Sequence, residues 1–295
     1  QPHDYVLNDV APKTPTPEEK PNLANTLKNV QLERLYLTNL PSAENYERSF
    51  MHRETITHLI VTQTDFIVTG SVDGHVKFWK KQDQGIEFVN HFRSHLGQIL
   101  DMCDNFDGTL LCTVASDKAF KIFDVVNFDM INMVRLDYVP LACCFIHSDR
   151  DPISSVCISD KDSSRLLVYD AKGTSQPLRV IDKMHRNPVH LMKFNAKFEI
   201  VVSADKNGML EYWTGTKHDY KFPKCVTFQS KMDTDLYEFV KLKTSVINMV
   251  FSRDGKQMAT SGKDRKIRIF SVLSGKITQT IDDSIDVYSA IQQVN

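Results

Sequence analysis

Gly70-Ser71-Val72-Asp73-Gly74-His75-Val76-Lys77-Phe78-Trp79 ends one apolar run, turns at Asp-Gly and begins another run that closes on tryptophan. Asp-Gly between apolar runs is a strong local signal for a β-hairpin. The same order of small and β-branched residues, aspartate and closing aromatic returns at Asp117 with Phe123, Asp160 with Tyr169, Asp205 with Trp213, and Asp264 with Phe270. The aromatics recur about every 45 residues, with the last interval about a dozen longer, and a period of that length with four strand-sized segments marks β-propeller blades. A propeller is a radial scaffold, so partner binding is expected before chemistry.

The blades can be followed outward from that stretch. In the first, 56–61 is the inner strand, 66–71 the second and 75–79 the third. Segments 99–103, 110–115 and 119–123 repeat the order, as do 141–146, 154–158 and 165–169. Segments 189–194, 200–203 and 209–213 form the fourth blade, and 246–251, 257–260 and 266–270 the fifth. The extra length before the fifth lies in 215–243. There Leu236, Phe239 and Val240 share one helical face behind Thr234 or Asp235 as a cap.

The 295 residues include 36 basic and 37 acidic side chains, for a net charge of −1. That balance gives no global electrostatic case for nucleic acid or an anionic membrane, although a local patch stays open. No apolar run approaches the roughly 18 residues needed to span a bilayer, and no signal-peptide pattern is present, so a soluble intracellular protein is expected. The first residue is Gln1, read as an excerpt of a longer polypeptide. The six cysteines, Cys103, Cys112, Cys143, Cys144, Cys157 and Cys225, contain no Cys-x-x-Cys pair. Buried free thiols are therefore expected, with no metal and no cofactor.

Residues 1–34 carry Pro2, Pro12, Pro15, Pro17 and Pro21 among polar residues, too little apolar surface to offset ordering entropy. They are read as an extended or disordered arm, 35–281 as the blades of an incomplete ring, and 282–295 as a linker. Leu35-Tyr36-Leu37 and the turn after it are expected to supply a closing strand. The acidic run at Asp282, Asp283 and Asp286 lacks the spacing of a calcium loop.

His52, His95 and His185 each precede a turn aspartate (Asp73, Asp117 and Asp205) by about twenty residues, a register that repeats with the blades. Ser71, Ser116 and Ser203 stand beside those aspartates. Serine, histidine and aspartate invite a hydrolase reading, but no Gly-x-Ser-x-Gly turn presents a nucleophile. A catalytic site also occurs once, whereas this set repeats. In blades of the WD-repeat kind, aspartate, histidine, serine and the closing Trp79 or Trp213 indole form a buried hydrogen-bond relay. Only the first and fourth blades have residues for a complete one. No catalytic residue is assigned, and Gly70 to Gly74 is a strand end and turn rather than a phosphate loop.

Beyond the repeats, Asp73-Gly-His-Val-Lys-Phe-Trp-Lys-Lys81, His91-Phe-Arg-Ser-His95, Phe123-Asp-Val-Val-Asn-Phe-Asp-Met-Ile-Asn132, Glu211-Tyr-Trp-Thr-Gly215 and Asp233-Thr-Asp-Leu-Tyr-Glu-Phe239 resemble the peptidyl-prolyl isomerase domain and WD repeat-containing family. The similarity runs from about Leu35 to the C-terminus. It implies an all-β WD-repeat propeller of about seven blades, five of them readable here, and a C-terminal cyclophilin domain outside this sequence. It further implies a nucleus-localised, spliceosome-associated protein with spliceosomal proteins as partners. This segment is then a non-catalytic docking scaffold with no small-molecule substrate. The alternative is that prolyl cis-trans isomerisation by the absent domain is the function and the propeller only targets it.

Arg53, Glu54, His95, Arg186 and Lys243, at the entrances of inner strands, are the partner-contact candidates because loops carry binding in propellers. Tyr220, Lys221 and Lys224 in the insertion interleave an aromatic ring with positive charge. That pattern can stack and neutralise single-stranded nucleic acid, giving a weak RNA contact, or it can dock its ring on the blade.

Overall fold

The computed structural model describes residues 34, 35, 37, 38, 50–148, 151–285, 287 and 289. Residues 47–295 form one compact unit and residues 1–46 another. In the smaller unit Arg34, Leu35, Leu37 and Thr38 are helical, and the Thr38 hydroxyl bonds the carbonyls of Arg34 and Leu35 at 3.0 Å. This corrects the expected closing strand at Leu35 and Leu37. A threonine hydroxyl can serve its own turn's carbonyls, so the local pattern fits a helix as well as a strand. The rest of the arm lies outside the described residues.

The larger unit is a fan of antiparallel sheets. The first is β1 (Ile56–Val61), β2 (Phe66–Ser71), β3 (His75–Lys81) and β4 (Ile86–Arg93), and the second is β5 (Ile99–Asp104), β6 (Leu110–Ala115), β7 (Ala119–Asp124) and β8 (Asp129–Arg135). The third is β9 (Pro140–Ile146), β10 (Ser155–Asp160), β11 (Leu166–Asp170) and β12 (Arg179–Ile181). The fourth has only β13 (Val189–Asn195), β14 (Ile200–Asp205) and β15 (Leu210–Thr214). The fifth is β16 (Val246–Phe251), β17 (Gln257–Gly262), β18 (Lys266–Ser271) and β19 (Ile277–Asp282). Every sheet is an up-and-down meander, and this is the five-blade propeller arrangement expected from the period.

The core consists of four seams between successive blades. Phe78 meets Ile99 and Phe123 at the first, and Phe120 meets Val156 and Tyr169 at the second. Val168 meets Met192 and Trp213 at the third, and Tyr212 meets Phe239 and Phe270 at the fourth. Burying such a ring or aliphatic chain stabilises by about 1.5–3 kcal/mol. Among the described residues the first and fifth blades each have a seam on one side only. Accordingly Leu59 and Val61 on β1 are 63% and 61% exposed, and Ile247 and Val250 on β16 are 57% and 60% exposed.

Where the fourth blade lacks its outer strand, the insertion lies instead. It holds two 3-10 turns, Thr216–His218 and Lys231–Asp233, and one short helix, α1 (Glu238–Lys241). The expected helix is shorter than its apolar pattern. Thr234 serves the preceding turn, its hydroxyl donating to the Lys231 carbonyl at 2.7 Å, and Tyr237 takes the N-cap position. Leu236 and Phe239 are still buried, against the fifth blade's core. Among the described residues no helix is long and apolar enough to cross a membrane.

Candidate functional site: blade relays and the loop face

The histidines do form relays, but through different hydroxyls from those expected in two blades. In the fourth, His185 Nε2 lies 2.7 Å from Ser203 Oγ, which also accepts the Trp213 indole N–H at 3.1 Å. His185 Nδ1 stands 3.8 Å from Asp205. In the second blade, His95 Nε2 meets Thr113 at 2.8 Å and Nδ1 meets Asp117 at 3.1 Å, with Phe123 where an indole would be. In the first, His52 Nε2 meets Thr69 at 2.8 Å, and the Trp79 indole donates to that same hydroxyl at 2.9 Å.

Two corrections follow. Thr69 and Thr113, not Ser71 and Ser116, hold the relay hydroxyls. Ser71 bonds Asp73 within the turn, and Ser116 is exposed. The link from histidine to aspartate is also open in the first and fourth blades: neither His52 Nδ1 nor His185 Nδ1 has a hydrogen-bond partner among the described residues, and Asp73 is engaged by Ser71 and by the His75 amide at 3.4 Å. Counting back from the aspartate misleads because the turns differ in length. Counting back from the aromatic does not in the blades of common turn length, since hydroxyl and ring sit on paired strands: Thr69 pairs with Lys77, Thr113 with Lys121, Ser203 with Glu211 and Thr260 with Arg268, each two residues before the closing aromatic and on its face, whereas Ser159 pairs with Leu166, three before Tyr169. The indole bonds span 10 residues in both the first and fourth blades.

The blades without histidine solve the same problem differently. In the third, Ser159 Oγ takes the Ala142 amide at 2.9 Å, while Asp160 is held by Ser163 at 2.6 Å and Arg165 at 3.0 Å. In the fifth, the buried Arg268 guanidinium bonds both Asp264 oxygens, at 3.2 and 2.5 Å, and its carbon lies 4.8 Å over the Phe239 ring. Neither Thr260 nor Arg268 was expected, yet a charged residue inside a strand is a visible signal that an ion pair must accompany it.

The electrostatics are those of structural groups. Burial pushes the His95 imidazole below its ordinary pKa, with Asp117 opposing. Burial and the Lys77 ammonium push His52 down likewise. Ser203 is fully buried, and its oxygen is already shared by two rings, so the serine, histidine and aspartate of the fourth blade face no solvent-filled site.

Cys103, Cys112 and Cys143 come together from β5, β6 and β9, their sulfurs all within 4.8 Å of one another and all buried. Three thiols suit a soft ion in three-fold coordination, whereas zinc takes four ligands, and among the described residues no fourth group joins them. Cys144 and Cys157 are buried as well, and Cys225 is exposed.

Of the proposed contact residues, Arg53, Glu54, Arg186 and Lys243 are exposed, while His95 is buried in its relay. Lys243 stands beside Lys206 and Lys263 at a cavity between the fourth and fifth blades. In the insertion, Tyr220 packs on Trp213 with ring centroids 6.3 Å apart, Phe222 packs edge-on to Phe228, and Lys221 pairs with Asp219 at 3.1 Å. Tyr220 is thus committed to the blade, and Lys224 remains exposed.

Residues 47–80, 86–124 and 239–271 match the family described as WD domain, G-beta repeat, covering the first, second and fifth blades. Over 95% of its length the chain is 52% identical to the mouse protein named peptidylprolyl isomerase domain and WD repeat-containing protein 1, of which it covers 43%. The chain is a homologue of these WD repeat-containing isomerase proteins. A peptidyl-prolyl cis-trans isomerase of Rhizopus delemar is 42% identical over 97% of the chain and 45% of its own length. The fission yeast isomerase 9 is 31% identical over 85% of the chain and 41% of its own length. The chain therefore spans less than half of the curated relatives it matches, and the part shared with them is the WD-repeat fold.

Proposed function

We propose that this chain is a non-catalytic protein-interaction scaffold that brings a cyclophilin-type prolyl isomerase to pre-mRNA splicing complexes in the nucleus. The observation that carries the reading is the use of the relay hydroxyls Thr69, Thr113 and Ser203, with their histidines, in holding strands together, which leaves the exposed loops as the surface offered to partners. Homology to proteins named for both an isomerase domain and WD repeats supplies the isomerase. On this reading the exposed aliphatics of β1 and β16 pack against further blades of a ring of about seven, and prolyl isomerisation belongs to sequence beyond this segment.

Crosslinking mass spectrometry on the full-length protein in nuclear extract tests it. Splicing proteins should crosslink to lysines of the propeller loops. Recovery of crosslinks to unrelated proteins alone, or to none, would remove the splicing assignment.

A further inference from the structure

Three turns of this propeller place a lysine at one equivalent position. The amide of Lys161 bonds the Val139 carbonyl at 2.9 Å, that of Lys206 bonds Pro188 at 3.1 Å, and that of Lys263 bonds Ser245 at 3.0 Å. Each bond ties the turn between the second and third strands to the segment entering the same blade. The three side chains consequently stand on the loop face of consecutive blades, all exposed. Two of them, Lys206 and Lys263, flank a cavity of about 620 Å³ at the seam of the fourth and fifth blades, where Lys243 is the third lysine.

None of these three ammonium groups has an ion-pair partner among the described residues. The one carboxylate on the cavity wall among the described residues, Asp264, is already held by two bonds from Arg268. Burial pushes that carboxyl up, but the guanidinium brings it below its ordinary value. The Thr244 hydroxyl on the same wall is buried with no hydrogen-bond partner among the described residues. Val240 and Leu242, the latter 52% exposed, add an aliphatic side.

We infer that this cavity is a docking pocket for an acidic segment of a partner protein that carries an aliphatic side chain, with carboxylates toward Lys206, Lys243 and Lys263 and the aliphatic group on Leu242. The inference rests on the scaffold reading above and gives it a surface. Peptide is favoured over RNA because among the described residues no aromatic ring lines the cavity, and single-stranded binding draws on a stacking platform. The lysines lie at the surface, so the attraction is screened by salt and selects the partner more than it adds affinity.

The test is fluorescence anisotropy with the full chain and three labelled probes: a glutamate peptide with a central leucine, the same peptide with lysine for glutamate, and oligouridylate. The double variant Lys206→Glu/Lys263→Glu should bind the acidic peptide about tenfold or more weakly, because like charges then face one another. It should gain affinity for the lysine peptide. Lys81→Glu, on an exposed lysine of the first blade, should match wild type. Matching thermal melts will show that the variants fold. An acidic peptide that wild type does not bind, or that the double variant binds equally well, would overturn the pocket. Oligouridylate binding tighter than the acidic peptide and lost in the double variant would overturn it in favour of nucleic acid. If the double variant still crosslinks to splicing proteins at the wild-type level, the pocket falls and the scaffold stands. If wild type crosslinks to none, the splicing reading falls whatever the peptides show.

Discussion

The first and fourth blades carry the same apparatus, a histidine, a hydroxyl and a tryptophan, in surroundings that differ. In the fourth, Trp213 and Ser203 are fully buried and His185 is 4% exposed, because seams close on both sides of the sheet. In the first, Trp79 and His52 are only half-buried, and the blade packs on one side. A hydrogen bond contributes most where water cannot replace a lost partner. One motif therefore has two energetic values, set by its neighbours rather than by its own residues.

The largest test of that contrast is Trp213→Ala, which should destabilise by about 3–5 kcal/mol, as large aromatic deletions in cores do. Trp79→Ala should cost clearly less in the same chemical melts, and equal losses would break the comparison. Next, Ser203→Ala strands both an indole N–H and an imidazole nitrogen in the interior. A loss of about 1–3 kcal/mol is expected for each such group left unpaired. Thr69→Ala should cost less, since water reaches the half-buried His52 and Trp79.

The smallest effect is a pH dependence at His95. Its folded-state pKa is lowered, so the unfolded chain binds the proton first as pH falls below about 6.5. Its contribution to stability is present above that value and is lost as pH falls toward the folded pKa. The melting temperature of His95→Gln should accordingly decline less between neutral and mildly acidic pH than that of wild type. An unchanged slope would separate His95 from this linkage.

These contrasts also mark what the sequence could disclose. The blades were legible because strand alternation and the Asp-turn-aromatic order are local, and the inner strands fall at or within a residue of their expected ends. The identity of the relay hydroxyls was hidden by variable turns, although the common offset of Thr69, Thr113 and Ser203 from their aromatics was there to be counted. The missing outer strand of the fourth blade was hidden because its replacement, 215–243, packs through Tyr220, Phe228 and Phe239 rather than through alternation. Lys206 and Lys263 meet only because successive blades bring their turns together, which no spacing within a blade reveals.

The central claim is that the Ser/Thr, His and Asp of these blades hold a binding scaffold and do no chemistry. The direct measurement is the rate of cis-trans isomerisation of an Ala-Pro peptide with the isolated chain, followed beside its His185→Gln variant. The account predicts the spontaneous rate for both. Acceleration by the chain that vanishes in a variant still folded would contradict it.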